Sequence, residues 1–166
     1  MSRSGYTDDM DDQWAHIRWR GAVNSAISGR RGQQALHEIA AALDAMPEKR
    51  LTTNDLEAEG EFCTLGVLGA ARGIDLKNVD PDDPEAVADL FNLSPAMVRE
   101  IVFENDEAVD DYVFEEYEVC GPMRERYPDW ESHKRTHRVL DPKAAEKRWF
   151  YMRRWVESNI KKDGAA

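Results

Sequence analysis

The sequence predicts a mainly α protein of the α+β class, a compact bundle of five or six helices with one β-hairpin near residues 112–140. Apolar residues recur every three or four positions in several segments, which is the period of an amphipathic helix. One segment after residue 111 is instead rich in aromatic and β-branched residues, which favour strands. The 166 residues are 42% hydrophobic and include five Trp and five Phe, so a substantial core is expected.

The first two helices are predicted from an acidic start and a glycine-rich stop. Residues 1–10 are polar and are expected to form a flexible tail. The acidic end of this tail suits the positive pole of a helix over about 11–28. Gly29 and Gly32 then predict a turn. A second helix follows over 33–46, with an apolar stripe that ends at the next proline.

The middle of the chain predicts three further helices. The first, over 61–72, contains Gly66 and Gly69, although glycine inside a helix costs about 1 kcal/mol relative to alanine. Close packing of another helix against that face is the expected reason. A turn rich in Pro and Asp leads to a short helix over 85–91. Ser94 then begins the next helix, as an N-cap followed by a proline in the first position.

The last two of these helices resemble the turn of a helix-turn-helix, but their charges argue against DNA binding. The second helix offers Arg99 against Glu100 and Glu104. A recognition helix normally brings several donors for phosphates and base edges. Two packed core helices are therefore the preferred interpretation.

The hairpin is predicted from two segments of opposite charge. Residues 112–119 combine aromatic, β-branched and acidic side chains, and the basic residues 134–140 form the returning strand. A Gly-Pro pair ends the first strand, and a loop is expected over 124–130. Asp141 and the following proline begin the last helix. The apolar stripe of that helix predicts its buried face: Ala145, Trp149, Met152, Val156 and Ile160.

Charge divides the single predicted domain, residues 11–166, into an acidic and a basic part. Residues 1–118 carry 26 Asp and Glu against 10 Lys and Arg, a net charge of −16. Residues 119–166 carry 7 against 12, a net charge of +5, and the hairpin and C-terminal helix form this basic part up to residue 162. Because an acidic surface repels phosphates, direct nucleic-acid binding is not expected, and the expected partner is a basic protein.

Membrane insertion and export are not expected from the sequence. No run of about 18 apolar residues is present, and the N-terminus lacks the apolar segment of a signal peptide. The two cysteines, Cys63 and Cys120, are therefore expected to be reduced thiols in a cytoplasm. Because no nucleophile, Walker or dinucleotide-binding motif occurs, we expect a non-enzymatic protein without a cofactor.

One spacing of metal-ligating residues invites comparison with a zinc site. Cys120, His133 and His137 follow the C-x12-H-x3-H spacing of the second half of a C2H2 zinc finger. The first cysteine of such a site is missing, since residues 116–118 are Glu, Tyr and Glu. Two polar surface histidines and an unrelated thiol are the simpler interpretation, and structural zinc is the alternative.

Two groups of residues are candidates for binding a protein partner. On the last helix, Tyr151 and Trp155 lie one turn apart, off the apolar stripe, and Arg148 and Arg154 flank them. A second buried face of a helical bundle is the alternative for this group. The other group is acidic and lies in or just before the first hairpin strand: Asp110, Asp111, Glu115 and Glu116. Its alternative is a solvated acidic face.

Several short motifs are distributed over residues 30–106 and the last helix. They are AALDAMPEKRL at 41–51, GEFCTLG at 60–66, ARGID at 71–75, END at 104–106, KRW at 147–149 and RWV at 154–156. In these motifs the chain resembles an uncharacterised family of small acidic proteins encoded by tailed bacteriophages and prophages of proteobacteria. The resemblance implies a phage gene expressed in the cytoplasm of an infected bacterium. It implies no activity and no site residues.

The sequence therefore predicts an acidic protein-interaction module rather than an enzyme. By charge mimicry, an acidic surface can occupy the basic groove of a host defence or nucleic-acid-handling protein and inhibit it. A virion or assembly component is the first alternative, because opposite charges on two parts of one chain permit head-to-tail self-association. A small zinc-binding protein at Cys120, His133 and His137 is the second alternative.

Overall fold

The helices and strands follow the predicted order. The computed structural model describes residues 3–6, 13–118, 122–126 and 134–162, and these residues hold seven helices and two small antiparallel sheets. The prediction of a mainly helical α+β fold is confirmed. The elements are α1 Gln13–Ser28, α2 Arg30–Ala45, β1 Glu57–Ala58, β2 Glu61–Phe62, α3 Thr64–Arg72, α4 Pro84–Phe91, α5 Pro95–Asp106, β3 Tyr112–Glu118, α6 Pro122–Arg126, β4 Lys134–Leu140 and α7 Ala144–Asn159.

The described residues divide into two compact units. The first comprises those within Met1–Val109 and Ala145–Ala166, and the second those within Asp110–Ala144. Helices α1 to α5 and α7 all contribute side chains to the core of the first unit. Its large, fully buried side chains include Leu36, Ile39, Leu43, Leu65, Leu68, Phe91, Ile101 and Met152. The apolar stripes of α2, α5 and α7 are therefore faces on which these helices pack, whereas the apolar residues Trp14 and Ile17 in the first half of α1 are exposed.

Side-chain caps fix where the helices of the first unit begin. The Ser94 hydroxyl accepts a hydrogen bond from the Met97 amide at 3.3 Å, as the N-cap of α5. Asp83 Oδ1 accepts from the amides of Glu85 and Ala86 at 3.1 and 3.0 Å, so α4 begins at the intervening proline. Both helices thus carry proline just inside their start, where its missing N–H has no cost.

The predicted third helix is shorter at its N-terminus than the sequence indicated. It begins at Thr64, because Glu61 and Phe62 pair with Ala58 and Glu57 in the small β1–β2 sheet. The sequence does not predict this sheet, since strands of two residues leave no alternating pattern.

Other element boundaries differ because turns are tighter than predicted. A single residue, Gly29, separates α1 from α2, so α2 begins three residues earlier than expected. A Cβ atom at Gly32 would lie 2.0 Å from the Ala26 carbonyl oxygen, so the missing side chain lets the start of α2 approach α1 closely. Helix α6 occupies the start of the predicted loop, and residues 127–130 of that loop lie outside the described residues.

Close packing does explain the two glycines of α3, but a second helix accounts for only one of them. A Cβ atom at Gly66 would lie 1.8 Å from the carbonyl oxygen of Leu56, in the connector before β1. At Gly69 it would lie 3.1 Å from the Phe91 ring of α4 and 2.8 Å from the Leu76 side chain. The approach at Gly66 is therefore made by backbone, which cannot move aside as a flexible side chain can.

Residues 3–6 of the predicted tail make specific contacts with α5. Arg3 is buried and donates from Nε to Asp106 Oδ2 at 2.8 Å. Ser4 is also buried, and its hydroxyl donates to Glu107 Oε1 at 2.6 Å. The Tyr6 ring lies against Phe103 with 5.3 Å between ring centroids. This short segment is thereby held along the C-terminal half of α5.

Candidate partner-binding surfaces

The second unit is built around the predicted hairpin, in which the acidic strand pairs with the basic one. Strands β3 and β4 are antiparallel, with Tyr112 opposite Leu140 and Glu118 opposite Lys134. Since side chains alternate between the two faces of a strand, one face carries Tyr112, Phe114 and Leu140 together. We call these three residues the hairpin apolar face.

All three side chains of the hairpin apolar face are exposed. Phe114 has 72% of its surface exposed, Leu140 has 70% and Tyr112 has 40%. On the opposite face, Val113 and Val139 are half-buried, and Tyr117 is exposed with its ring 5.0 Å from that of His137. The sequence signal for this surface was the aromatic content of the strand, but that content did not show which rings face solvent.

The cations of β4 lie beside acidic residues at and before β3. Lys134 Nζ lies 3.2 Å from Glu116 Oε2, and Arg138 Nη2 lies 3.2 Å from Asp110 Oδ1. The Arg138 guanidinium also stacks on the Tyr112 ring at 3.9 Å, a cation–π contact. A further acidic residue of β3, Glu115, is exposed and lies opposite His137 on the partner strand.

Three of the four acidic candidates are thus exposed on or beside the hairpin, and Asp111 is the half-buried exception. The Asp111 carbonyl oxygen accepts a hydrogen bond from the Asp141 amide at 2.8 Å, which joins the two ends of the hairpin. A hairpin that carries both exposed carboxylates and the hairpin apolar face is suited to a partner with both cationic and apolar groups.

The candidates on α7 lie in the first unit, and one of them is not on the surface. Arg148 is only 2% exposed and donates to the carbonyl oxygens of Asn105 and Leu51 at 2.8 and 2.9 Å. The prediction that Arg148 flanks a partner surface is therefore wrong. The reason is that Arg148 lies on the face of α7 that packs against α5 and against the connector between α2 and β1. Buried carbonyl oxygens in both segments require hydrogen-bond donors.

The other three α7 candidates remain at least partly accessible. Arg154 is exposed, Tyr151 is 36% exposed, and Trp155 is half-buried with its ring packed against the core. The alternative of a second buried face is thus partly right for Trp155. The structure places this group and the hairpin candidates in different units.

A cluster of two carboxylates and two tyrosines, which the sequence analysis did not identify, lies beneath the α7 candidates. Glu100 and Glu104 lie one turn apart on α5. Glu100 accepts from the Tyr6 hydroxyl at 3.1 Å and from Arg20 at 2.9 Å, and Glu104 accepts from the Tyr151 hydroxyl. The signal in the sequence is the four-residue spacing of Glu100 and Glu104, which places both carboxylates on one face of a helix. The many other acidic residues nearby make this pair hard to distinguish.

Burial is the largest influence on the pKa values of Glu104 and Tyr151. It raises the pKa of the Glu104 carboxyl, more than the hydrogen bond from Tyr151 lowers it. Burial and the bond to Glu104 raise the pKa of Tyr151 to about 12, so its phenol stays protonated at neutral pH. The Tyr151 hydroxyl is committed to Glu104, and a partner would therefore meet the Tyr151 ring rather than a vacant donor.

Two of the three candidate zinc ligands, Cys120 and His133, lie outside the described residues. The third, His137, is exposed on β4. Within the part of the chain that the structure describes, no group of three His, Cys, Asp or Glu residues could hold a metal ion. The other cysteine, Cys63, is buried, which raises the pKa of its thiol, and its sulfur accepts from the Gly66 amide at the start of α3.

None of the helices in the described residues has the length and apolar character needed to cross a membrane. Comparison of the chain with models of protein families, with curated proteins and with solved structures finds no match. The interpretation of function therefore rests on the surfaces described above.

Proposed function

We propose that this protein binds a partner protein through the hairpin and that it works by binding rather than by catalysis. The observation that carries this proposal is the exposure of Phe114 and Leu140 on the same face of a two-stranded sheet. Burying either side chain in an interface would contribute about 2 kcal/mol. Contiguous exposed apolar groups of this kind commonly mark interaction sites, and aromatic residues are frequent at binding hot spots.

The charges support a basic partner. The chain carries a formal net charge of −11. Asp110 and Glu116 near the hairpin apolar face are paired with Arg138 and Lys134, and Glu115 is exposed on the opposite face of the hairpin. A negative protein attracts a positive one over a range of about 10 Å at 0.1 M salt, which speeds their encounter. We infer a partner with a cationic surface around an apolar pocket.

The resemblance to phage-encoded proteins suggests where such a partner would occur. In the cytoplasm of an infected bacterium, the basic groove of a defence or nucleic-acid-handling protein has the required charge. An acidic protein seated in that groove would compete with the phosphates of the natural ligand. On this proposal, the protein is an inhibitor or modulator that acts by charge mimicry.

The test is a pull-down from proteobacterial lysate at low and high salt, with the captured proteins identified by mass spectrometry. The full chain is compared with the hairpin variant F114S/L140S and with the control F150S, which removes another exposed aromatic ring from α7, 62% exposed. We expect a stoichiometric basic protein that the wild type and F150S retain at low salt. F114S/L140S should not capture this protein, and high salt should weaken its binding to the wild type.

Two results would contradict the proposal. One is a partner that both serine variants retain equally, which would place the interface away from the hairpin. The other is the absence of a hairpin-dependent partner from both lysate and infected cells.

Self-association is the second candidate function, and the two edges of the hairpin favour it. Among the described residues, each strand of this sheet pairs with one neighbour and has a second edge without a partner strand. Strand β3 is acidic and β4 is basic, so β3 of one copy could pair with β4 of the next. Analytical ultracentrifugation tests this: oligomers that dissociate with salt and with R135E/R138E would support an assembly component, and a monomer at all salt concentrations would exclude it.

A further inference from the structure

A groove on the first unit lies between α2, β2 and α3. Its volume is about 650 Å³, within the usual range of ligand-binding pockets. Small or apolar side chains form its floor: Ala42, Ala45, Met46, Phe62, Val67, Ala70 and Ala71. Because four of these are alanines on two neighbouring helices, the floor is shallow and accepts side chains from outside.

The rim of the groove is acidic. Glu48, Glu59 and Glu61 lie on it with a single cation, Arg50. Arg50 Nε lies 3.4 Å from Glu61 Oε1, so this pair is neutral as a whole. No described residue forms an ion pair with Glu48 or Glu59. The rim therefore presents two uncompensated carboxylates above an apolar floor.

The backbone at the rim is held in an uncommon conformation. Glu59 and Gly60, the turn between β1 and β2, have φ of 53° and 85°. These left-handed values belong to a tight hairpin turn in which Asn-Gly is the favoured pair. The chain has glutamate in the first position, although its longer side chain lacks the local hydrogen bond by which Asn and Asp favour this conformation. The turn thus places a carboxylate at the edge of the groove.

We propose that this groove is a second binding site, which receives the apolar face of a basic amphipathic helix from a partner protein. The floor supplies hydrophobic contact for one row of side chains, as in other helix-in-groove complexes. Glu48 and Glu59 attract lysines or arginines that flank that row. The proposal is independent of the hairpin, because every residue that forms the groove lies in the first unit.

The experiment uses the full chain and a fluorescein-labelled helical peptide of about 14 residues with leucine on one face and lysine on the other. A peptide with glutamate in place of lysine tests the charge requirement. Fluorescence polarisation gives the dissociation constants. We expect the lysine peptide to bind and the glutamate peptide to bind at least about tenfold more weakly.

Two pairs of variants locate the site. Ala71→Trp fills the groove from an exposed position of α3, and Ala41→Trp is its control, an exposed position of α2 that does not line the groove. We expect A71W to weaken the lysine peptide roughly tenfold or more, and A41W to change its affinity less than about twofold. Circular dichroism confirms that both variants fold.

The second pair tests the rim with a variant and a control of equal net charge, since each loses two carboxylates. E48Q/E59Q should weaken the lysine peptide about threefold to tenfold at low salt, and the exposed control D89N/E157Q should change it by less than about twofold. The proposal is overturned if the lysine peptide does not bind at about 1 mM, or if each variant and its control weaken it equally. Because F114S/L140S should leave peptide binding unchanged, failure of this proposal is distinguishable from failure of the hairpin proposal.

Discussion

Asn105 and Arg148 form a buried polar junction where α5, α7 and the connector meet. Asn105 is 1% exposed, and its Oδ1 accepts from both the amide and the hydroxyl of Thr64, at 3.0 and 2.8 Å. Its Nδ2 donates to the Thr52 carbonyl at 2.9 Å. One side chain thus meets the hydrogen-bonding needs of two chain segments, which makes its loss costly.

The substitution Asn105→Ala should lower the free energy of unfolding by about 2 to 4 kcal/mol, because it leaves buried polar groups without partners. Urea denaturation measures the change. Asn24→Ala, at an exposed position of α1, is the control and should cost less than about 1 kcal/mol. Equal effects of the two substitutions would show that the junction contributes nothing particular to stability.

The ionisation of Glu104 predicts how the free energy of unfolding depends on pH. Burial raises the pKa of its carboxyl above the ordinary value of 4.5, so the folded protein keeps this proton to higher pH than the unfolded chain. The contribution of Glu104 to the free energy of unfolding therefore falls as pH rises from 4.5 through the raised pKa.

Glu104→Gln removes this titration. Relative to the wild type, the variant should become more stable as pH rises through that window, and the two should differ least below it. Denaturation curves at several pH values measure the difference. The exposed control Glu146→Gln should not reproduce the trend, and a difference that shrinks with rising pH would contradict the argument.

At the scale of elements, two glycines in helices are expected to respond in opposite directions to alanine. A Cβ atom at Gly66 of α3 would lie 1.8 Å from the Leu56 carbonyl oxygen, whereas one at Gly21 of α1 would have no neighbour within 4 Å. Gly66→Ala should lower the free energy of unfolding by about 3 kcal/mol through overpacking. Gly21→Ala should raise it by about 0.5 to 1 kcal/mol. Thermal unfolding of both variants checks the signs, and a stabilising Gly66→Ala would refute the close approach.

At the scale of the whole molecule, the hairpin should be removable without loss of the helical core. The described core of the first unit contains no side chain from residues 110–144. The ends of the hairpin are adjacent, since the Asp141 amide donates to the Asp111 carbonyl. We expect that replacing residues 112–140 with a short Gly-Ser linker preserves helical circular dichroism and cooperative unfolding, and abolishes capture of the hairpin partner. Loss of the helical signal would contradict this expectation.

Much of the fold could be predicted because its causes are local. Helical periodicity, the Ser94 cap and the charge complementarity of β3 and β4 are visible in short stretches of sequence, and the structure has the α5 start and both hairpin strands where they were predicted. The candidate sites were predicted less well. The exposure of Phe114 and the burial of Arg148 depend on what packs against them from elsewhere in the chain.

The sequence by itself determined the class of the fold, the order of its larger elements and the excess of negative charge. These properties follow from composition and from patterns within about 15 residues. Only the tertiary structure decided that α7 directs Arg148 inward, that a backbone carbonyl packs on Gly66, and that alanines of α2 and α3 form a groove with an acidic rim. The physical reason is that burial and concavity arise between segments far apart in sequence, and no local pattern records which of them meet.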